Sequence, residues 1–396
     1  DRVEEDDLKA LEQLERAIDI DPADVGCTAK LAEYHFRNDN YESSGQYYRR
    51  LLNLTDGSAS AVDTCHRKYR LGYTYEKLED LDNALRYYQE AVHADPSYLA
   101  AQEALAQMLL SFEQYEQAKD VFECIIEEHK DELTASEVVD IHWQLGDLEL
   151  KAGRLPNARN GFEKALELDP NHVLSLKALA GIDGKMGQWD QAYERLERYS
   201  RLIPLDSREP VYLEMTDIAS EHLGDSAKEL EPLVRGARLD GASVDLLERL
   251  SEVLLGRSEF QQAGAVLKKA AGACEDLPRR AGLLHRLGRL YEQELDNEHL
   301  ALKAYHVSLD LEPTRVEAFQ DMERLLVKRQ EWKLLEESYR AMLGRAQSLT
   351  PGFRLVLWRN LAELYDRALQ DVDNAIMAYE VVRQLDTSRE DEALRL

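Results

Sequence analysis

Two stretches of this chain carry the same ladder of small and aromatic residues, and that ladder restricts the fold more than any other feature. Residues 69–96 read YRLGYTYEKLEDLDNALRYYQEAVHADP and residues 143–170 read WQLGDLELKAGRLPNARNGFEKALELDP. In each, a Leu-Gly pair is followed by alanine twelve residues after the glycine, an aromatic four later, alanine three later and proline five later. The residues are Gly72, Ala84, Tyr88, Ala91 and Pro96 in one copy, and Gly146, Ala158, Phe162, Ala165 and Pro170 in the other. Steps of three and four are helical spacing. Small residues at two helical positions allow a close antiparallel pair, and the proline ends the second helix because it lacks an N–H and clashes with the preceding turn. The Asp-Pro pair then turns the chain toward the next helix.

This pattern resembles the tetratricopeptide repeat, a helix–turn–helix unit of about 34 residues. The resemblance implies an all-α fold, a right-handed superhelical solenoid of antiparallel helix pairs. Using the ladder as a ruler lays out ten repeats preceded by a single N-terminal helix. The first repeat centres on Leu31, Ala32 and Tyr48. The next four have Ala84, Ala118, Ala158 and Ala192 at the small position of the second helix, and later repeats are marked by Ala263, Ala301, Met342 and Ala375. Residues 210–239 read as a degenerate repeat without the alanine ladder, turning at Gly224-Asp225. The expected organisation is a half repeat or capping helix over 1–22, a regular array over 23–206, a degenerate repeat with a possible kink over 207–243, and a second array over 244–396. Asp6, Asp7, Glu12 and Glu15 would give the first helix a polar outer face. One extra residue each at 295–300 and 369–374 is assigned to the turn inside a repeat. Insertions at 59–64 and 131–137 would extend a loop or lengthen the flanking helices. The final stretch, 391–396, reads as the start of another first helix, so the ends read as cuts through a longer array.

Composition narrows the functions. The formal net charge is −28, which argues against a nucleic-acid backbone as partner, because that affinity comes from Lys and Arg neutralising phosphates. No apolar run approaches the roughly 18 residues of a membrane span, so membrane insertion is not expected. The four cysteines, Cys27, Cys65, Cys124 and Cys274, lack metal-type or redox-type spacing. The ten histidines form no HExxH. The segment Gly181-Ile182-Asp183-Gly184 is glycine-rich but falls in a first-helix slot and lacks the Lys-Ser/Thr of a phosphate loop. No catalytic residue, cofactor or metal site is expected.

The resemblance assigns the first helix of each repeat to a concave groove, chiefly through repeat positions 2, 5, 9 and 12. On this register the groove of the early repeats would hold Glu33, Phe36, Tyr69, Tyr73, Glu76, Glu103, Gln107, Asp140, Trp143 and Asp147. Aromatic rings beside carboxylates suit an extended peptide carrying Lys or Arg. In the family, arrays that grip the acidic tails of heat-shock chaperones use Lys and Asn at positions 5 and 9. Here those slots hold Ala29 and Glu33, Tyr69 and Tyr73, Trp143 and Asp147, so that clamp is missing. The expected function is a scaffold or adaptor that binds a protein or peptide, basic in character, with self-association as a further possibility. The alternatives are the targeting arm of a larger enzyme, of kinase or glycosyltransferase type, and a bacterial cell-envelope assembly factor.

Overall fold

The computed structural model describes residues 2–344 and 350–393, with side chains described for 10–344 and 350–386. The chain divides into two compact units, Asp1–Tyr199 and Ser200–Leu396. Among the described residues there is no strand.

The first unit begins with α1 (Arg2–Ile20), and five helix pairs follow. They are α2 (Val25–Arg37) with α3 (Tyr41–Leu54), α4 (Ala61–Lys77) with α5 (Leu81–Ala94), α6 (Leu99–Ser111) with α7 (Tyr115–Glu128), α8 (Ala135–Lys151) with α9 (Leu155–Leu168), and α10 (Val173–Lys185) with α11 (Trp189–Leu202), whose last turn runs into the second unit. The second unit continues with α12 (Arg208–Ile218) and α13 (Ser226–Ala237), α14 (Val244–Gly256) and α15 (Phe260–Ala273), α16 (Leu277–Gln293) and α17 (Glu298–Leu311), α18 (Val316–Arg329) and α19 (Trp332–Gly344), and α20 (Pro351–Glu363) and α21 (Val372–Ala393). The even-numbered member of each pair is called helix A below and the following one helix B.

The ladder residues do what their size allows. Ala84, Tyr88 and Ala91 are fully buried, as are Ala158 and Ala165. At Gly72 an added Cβ would meet the Tyr88 ring at 2.7 Å, and at Gly146 it would meet Phe162 at 2.7 Å. Each glycine is therefore the slot into which the aromatic of its own helix B packs. Each pair also turns through one residue in the left-handed region. In chain order these are Asp39, Glu79, Glu113, Gly153, Gly187, Gly224, Ser258, Asp296, Gln330 and Gln370. Only three are glycine, so the other seven repeats carry a local cost of about 1 kcal/mol that the packing of the pair outweighs. Between pairs, the aspartates ahead of proline cap the turn. Asp95 Oδ1 accepts from the Ser97 N–H at 3.0 Å, and Asp169 Oδ1 from the Asn171 N–H at 3.0 Å.

The insertions lengthen helices. α4 and α8 have 17 residues where α2, α6 and α10 have 13, one extra turn at the N-terminus. Ser60 caps α4 and a Thr134–Glu137 capping box starts α8. The extra residue at 369–374 is accommodated differently from the expectation. Helix A of the last pair ends in a π-helical turn, Leu364–Leu369, so the helix widens and the turn keeps its ordinary left-handed residue. The pair α16–α17 uses the same device more briefly: the Leu295 N–H donates to the Leu290 carbonyl and the Asn297 N–H to the Tyr291 carbonyl. The degenerate repeat is also a helix pair. It has a π turn at Ala219–Leu223, left-handed Gly224, and the Asp225 side chain capping α13. Its small residue is Gly236, where a Cβ would fall 2.4 Å from Leu246 of the next pair.

At the termini, Glu12 and Glu15 are exposed on α1; the side chains of Asp6 and Asp7 lie outside the described residues. The backbone of α21 is one helix through Ala393, with no turn before Asp391. Thr387 stands where other repeats have proline, so nothing stops the helix. Residues 394–396 lie outside the described residues.

Candidate functional site

In the first unit, successive A helices meet along one side. Phe36 of α2 lies 5.3 Å from the Tyr73 ring of α4, and Gln107 of α6 donates to Gln144 Oε1 of α8 at 3.4 Å. The ten expected groove residues all lie on these A helices, and the structure divides them into three groups.

The first group is in the α4–α6 interval. A cavity of about 360 Å³ is lined by Tyr69, Tyr73, Glu76, Glu103 and Gln107, with Tyr88 beneath. Tyr88 donates its phenolic proton to Glu76 Oε2 at 2.6 Å. Burial first, then the Glu76 carboxylate, push the Tyr88 phenol far above its usual range, so it remains a donor. The same device recurs in other repeats. Tyr48 donates to Glu33 at 2.9 Å, Tyr305 to Glu292 at 2.7 Å, and Tyr339 to Glu323. A buried helix B tyrosine thus holds a helix A carboxylate from below. Desolvation raises the Glu103 carboxyl above the usual glutamate range, and Glu137 adds to the rise.

The second group is at α2. Glu33 accepts from Arg37 Nε at 2.8 Å and lies 4.0 Å from Arg70. Burial raises its carboxyl, but the bonds from Arg37 and Tyr48 outweigh that and hold it below the usual range. Arg70 also lies over the Phe36 ring, 4.3 Å from its centre. Arg70 was not foreseen from the sequence. Its position one residue after Tyr69 was the available signal, since that places it at the edge of the same helix face.

The third group is at α8 and α10. Trp143 and Asp147 line a separate cavity of about 350 Å³ with Phe162, Leu174, Lys177 and Lys185. Asp147 is paired with Lys151 at 2.8 Å. The Trp143 indole Nε1 is buried without a hydrogen-bond partner, a deficit of about 1–3 kcal/mol. Asp140 is exposed and lines neither cavity.

The glycine-rich segment of α10 proves structural. Asp183 is fully buried and accepts from Arg195 Nε at 2.5 Å, with Arg159 Nη1 at 3.3 Å. Glu149, also buried, is tied to Lys119 at 2.8 Å and to Arg154. These acids join neighbouring helix pairs. Among the described residues, no group of three or more His, Cys, Asp or Glu side chains could hold a metal ion. Among the same residues, no helix is long and apolar enough to cross a membrane.

Residues 67–98 and 139–172 match sequence models of the tetratricopeptide repeat. Among curated proteins, the chain is 26% identical over 237 residues to cellulose synthase 1 operon protein C of Komagataeibacter xylinus, covering 55% of this chain and 17% of that protein. It is 23% identical over 271 residues to the CTR9 homolog protein of Arabidopsis thaliana, covering 67% and 21%. The chain therefore spans about a fifth of the length of these curated relatives. Among solved structures, a tetratricopeptide repeat protein from Parabacteroides merdae matches 66% of this chain and 98% of its own at 15% identity, with a TM-score of 0.39. Helix pairs of this length, closed at each described turn by one left-handed residue and matching the repeat's sequence models in two places, make this chain a tetratricopeptide-repeat protein, of a family whose general role is the protein-interaction scaffold.

Proposed function

We propose that the chain acts as a scaffold without catalytic activity, and that the A-helix side of residues 1–199 holds an extended, basic segment of another polypeptide. The supporting observation is the α4–α6 cavity, where five of the ten expected groove residues come together and two of them are carboxylates. A net charge of −28 would steer a basic partner toward the chain and make capture sensitive to salt, because exposed charges are screened beyond about 8 Å at physiological ionic strength.

The test is affinity capture on the immobilised chain at low and high salt, in parallel with a variant carrying Tyr69→Ala, Tyr73→Ala and Trp143→Ala. Capture that weakens with salt and is lost in the variant supports the reading. Capture unchanged by the triple replacement overturns it. A chain that captures only itself, as read by sedimentation, replaces it with self-association. A second reading, a repeat arm within a larger protein, draws on the short span of the curated relatives that the chain matches; the full reading frame decides it.

A further inference from the structure

Not all acids on the A-helix side are available to a partner. Glu33 is held by Arg37 and Arg70, and Asp147 by Lys151. Glu76 and Glu103 differ. They are the only charged residues in the lining of the α4–α6 cavity, and neither takes part in an ion pair among the described residues. Tyr88 fixes Glu76 through Oε2, so this carboxylate is oriented before any ligand arrives and loses little freedom on binding. Tyr69 and Tyr73 form half-buried aromatic walls, and ring faces attract cations. The surface already shows that behaviour, with Lys77 Nζ 5.1 Å from the Tyr73 ring centre.

We propose that the cavity between α4 and α6 is a pocket for the side-chain ammonium of a lysine in the partner polypeptide. The inference rests on the groove reading above and names the residue that anchors the partner there. The two unpaired carboxylates compensate the desolvation of one cation, and the tyrosine rings contact the ammonium and its neighbouring methylenes. The apolar floor of Ala100, Ala104 and Met108 accepts the alkyl stem. An ammonium on a slim stem, with three rotatable donors, matches acids supplied by two different helices better than a flat guanidinium fork, whose geometry favours a single carboxylate. The desolvation cost that raises Glu103 is offset by the attraction of a bound cation.

The probe is a set of nonapeptide pools with randomised flanks and a fixed central residue: lysine, arginine, Nε-acetyl-lysine or norleucine. Binding to the full chain is read by fluorescence anisotropy. The lysine pool is expected to bind about tenfold more tightly than the acetyl-lysine and norleucine pools, and more tightly than the arginine pool. Combined Glu76→Gln and Glu103→Gln replacement should reduce that preference to about threefold or less. The same charge change on α7, Asp120→Asn with Glu127→Gln, should leave the preference intact. Lys77→Met, which removes a competing cation, should tighten lysine binding several-fold, a gain that damage to the fold does not produce. Equal binding of the lysine and acetyl-lysine pools overturns the pocket while leaving the groove reading in place. So does an arginine preference, and so does no lysine binding up to about 1 mM. If lysine-pool binding survives the replacement of Tyr69, Tyr73 and Trp143 together, the groove reading itself fails.

Discussion

Replacing Gly161 with alanine tests how closely the helices of one repeat approach. Gly161 lies on α9 opposite Gly146 of α8. A Cβ added there would fall 2.8 Å from the Gly146 Cα, 2.8 Å from its nitrogen and 3.1 Å from the His142 carbonyl oxygen. Ordinary carbon contacts are about 3.5–4.0 Å, so the helices would have to separate by about 1 Å. All three obstructing atoms are backbone, and no side chain can rotate out of the way. Overpacking of this kind costs about 1–3 kcal/mol, and the backbone obstruction argues for the upper half of that range. Alanine returns about 1 kcal/mol through its helix propensity. The net expectation is a loss of about 1–2 kcal/mol, or roughly 5- to 30-fold in the local opening equilibrium. The internal control is Gly181→Ala in α10, where an added Cβ meets nothing within 4 Å. Only the propensity acts there, so it should stabilise by about 0.5–1 kcal/mol. Hydrogen exchange resolved by helix is the suitable assay, because a repeat array opens in sections and a single global transition is not assured. The reasoning fails if Gly161→Ala leaves α8 and α9 as protected as before, or if the two substitutions change stability in the same direction.

Three further outcomes follow from the charged groups. Arg195→Met leaves the fully buried Asp183 with Arg159 as its remaining ion-pair partner and should weaken the α10–α11 pair by about 2–4 kcal/mol; adding Asp183→Ala should recover part of the loss in a double-mutant cycle of denaturation measurements. Burial raises the Glu149 carboxyl, but hydrogen bonds from Arg154 and Lys119 outweigh it and hold it below the usual glutamate range. Its stabilisation is therefore complete above the unfolded-state value and disappears as pH falls through the lower folded value; amide protection in α7–α9 should fall in acid, and Glu149→Gln should flatten that dependence. For the proposed pocket, lysine-pool affinity should rise with pH as Glu103 ionises, over a window above the usual glutamate range. Glu76 and the Tyr69 and Tyr73 phenols on α4, the Tyr88 phenol on α5, Glu137 on α8 and His129 at the end of α7 are the other titratable groups around it. Glu103→Gln should remove the rise, and a pH-independent affinity in the unmodified chain would count against Glu103 as a ligand.

The ladder at 69–96 and 143–170 was the ruler for the regular helix pairs, because burial at fixed helical spacing is written directly into residue type; the degenerate pair lacks the ladder and was marked by its Gly224-Asp225 turn. Gly72 and Gly146 marked the close approach of the two helices, while only the structure shows that Tyr88 and Phe162 of the same pair fill those slots. Helix-pair turns were harder to read, since glycine supplies only three of the ten left-handed residues and the rest adopt that conformation under tertiary packing. The extra residue near 369–374 looked like turn length. It became a π turn at Leu364–Leu369 because widening the helix preserves both the helix contacts and the turn.

For the candidate site, the sequence assigned the ten residues to A helices, where the structure has them. It could not say which of those acids are already neutralised. Glu33 and Asp147 look equivalent to Glu76 and Glu103 when read along the chain, yet Arg37, Arg70 and Lys151 occupy the first two and, among the described residues, no cation pairs with the other two. Nor could it show that Asp183, in a segment that reads as a poor helix, is buried between two arginines. Residue type and spacing determined the repeat, its helices and the A-helix face proposed to meet a partner. The charge state of that face depends on contacts between residues up to 37 positions apart, Arg70 with Glu33 among them, and only the packing of one helix pair on the next brings those residues together.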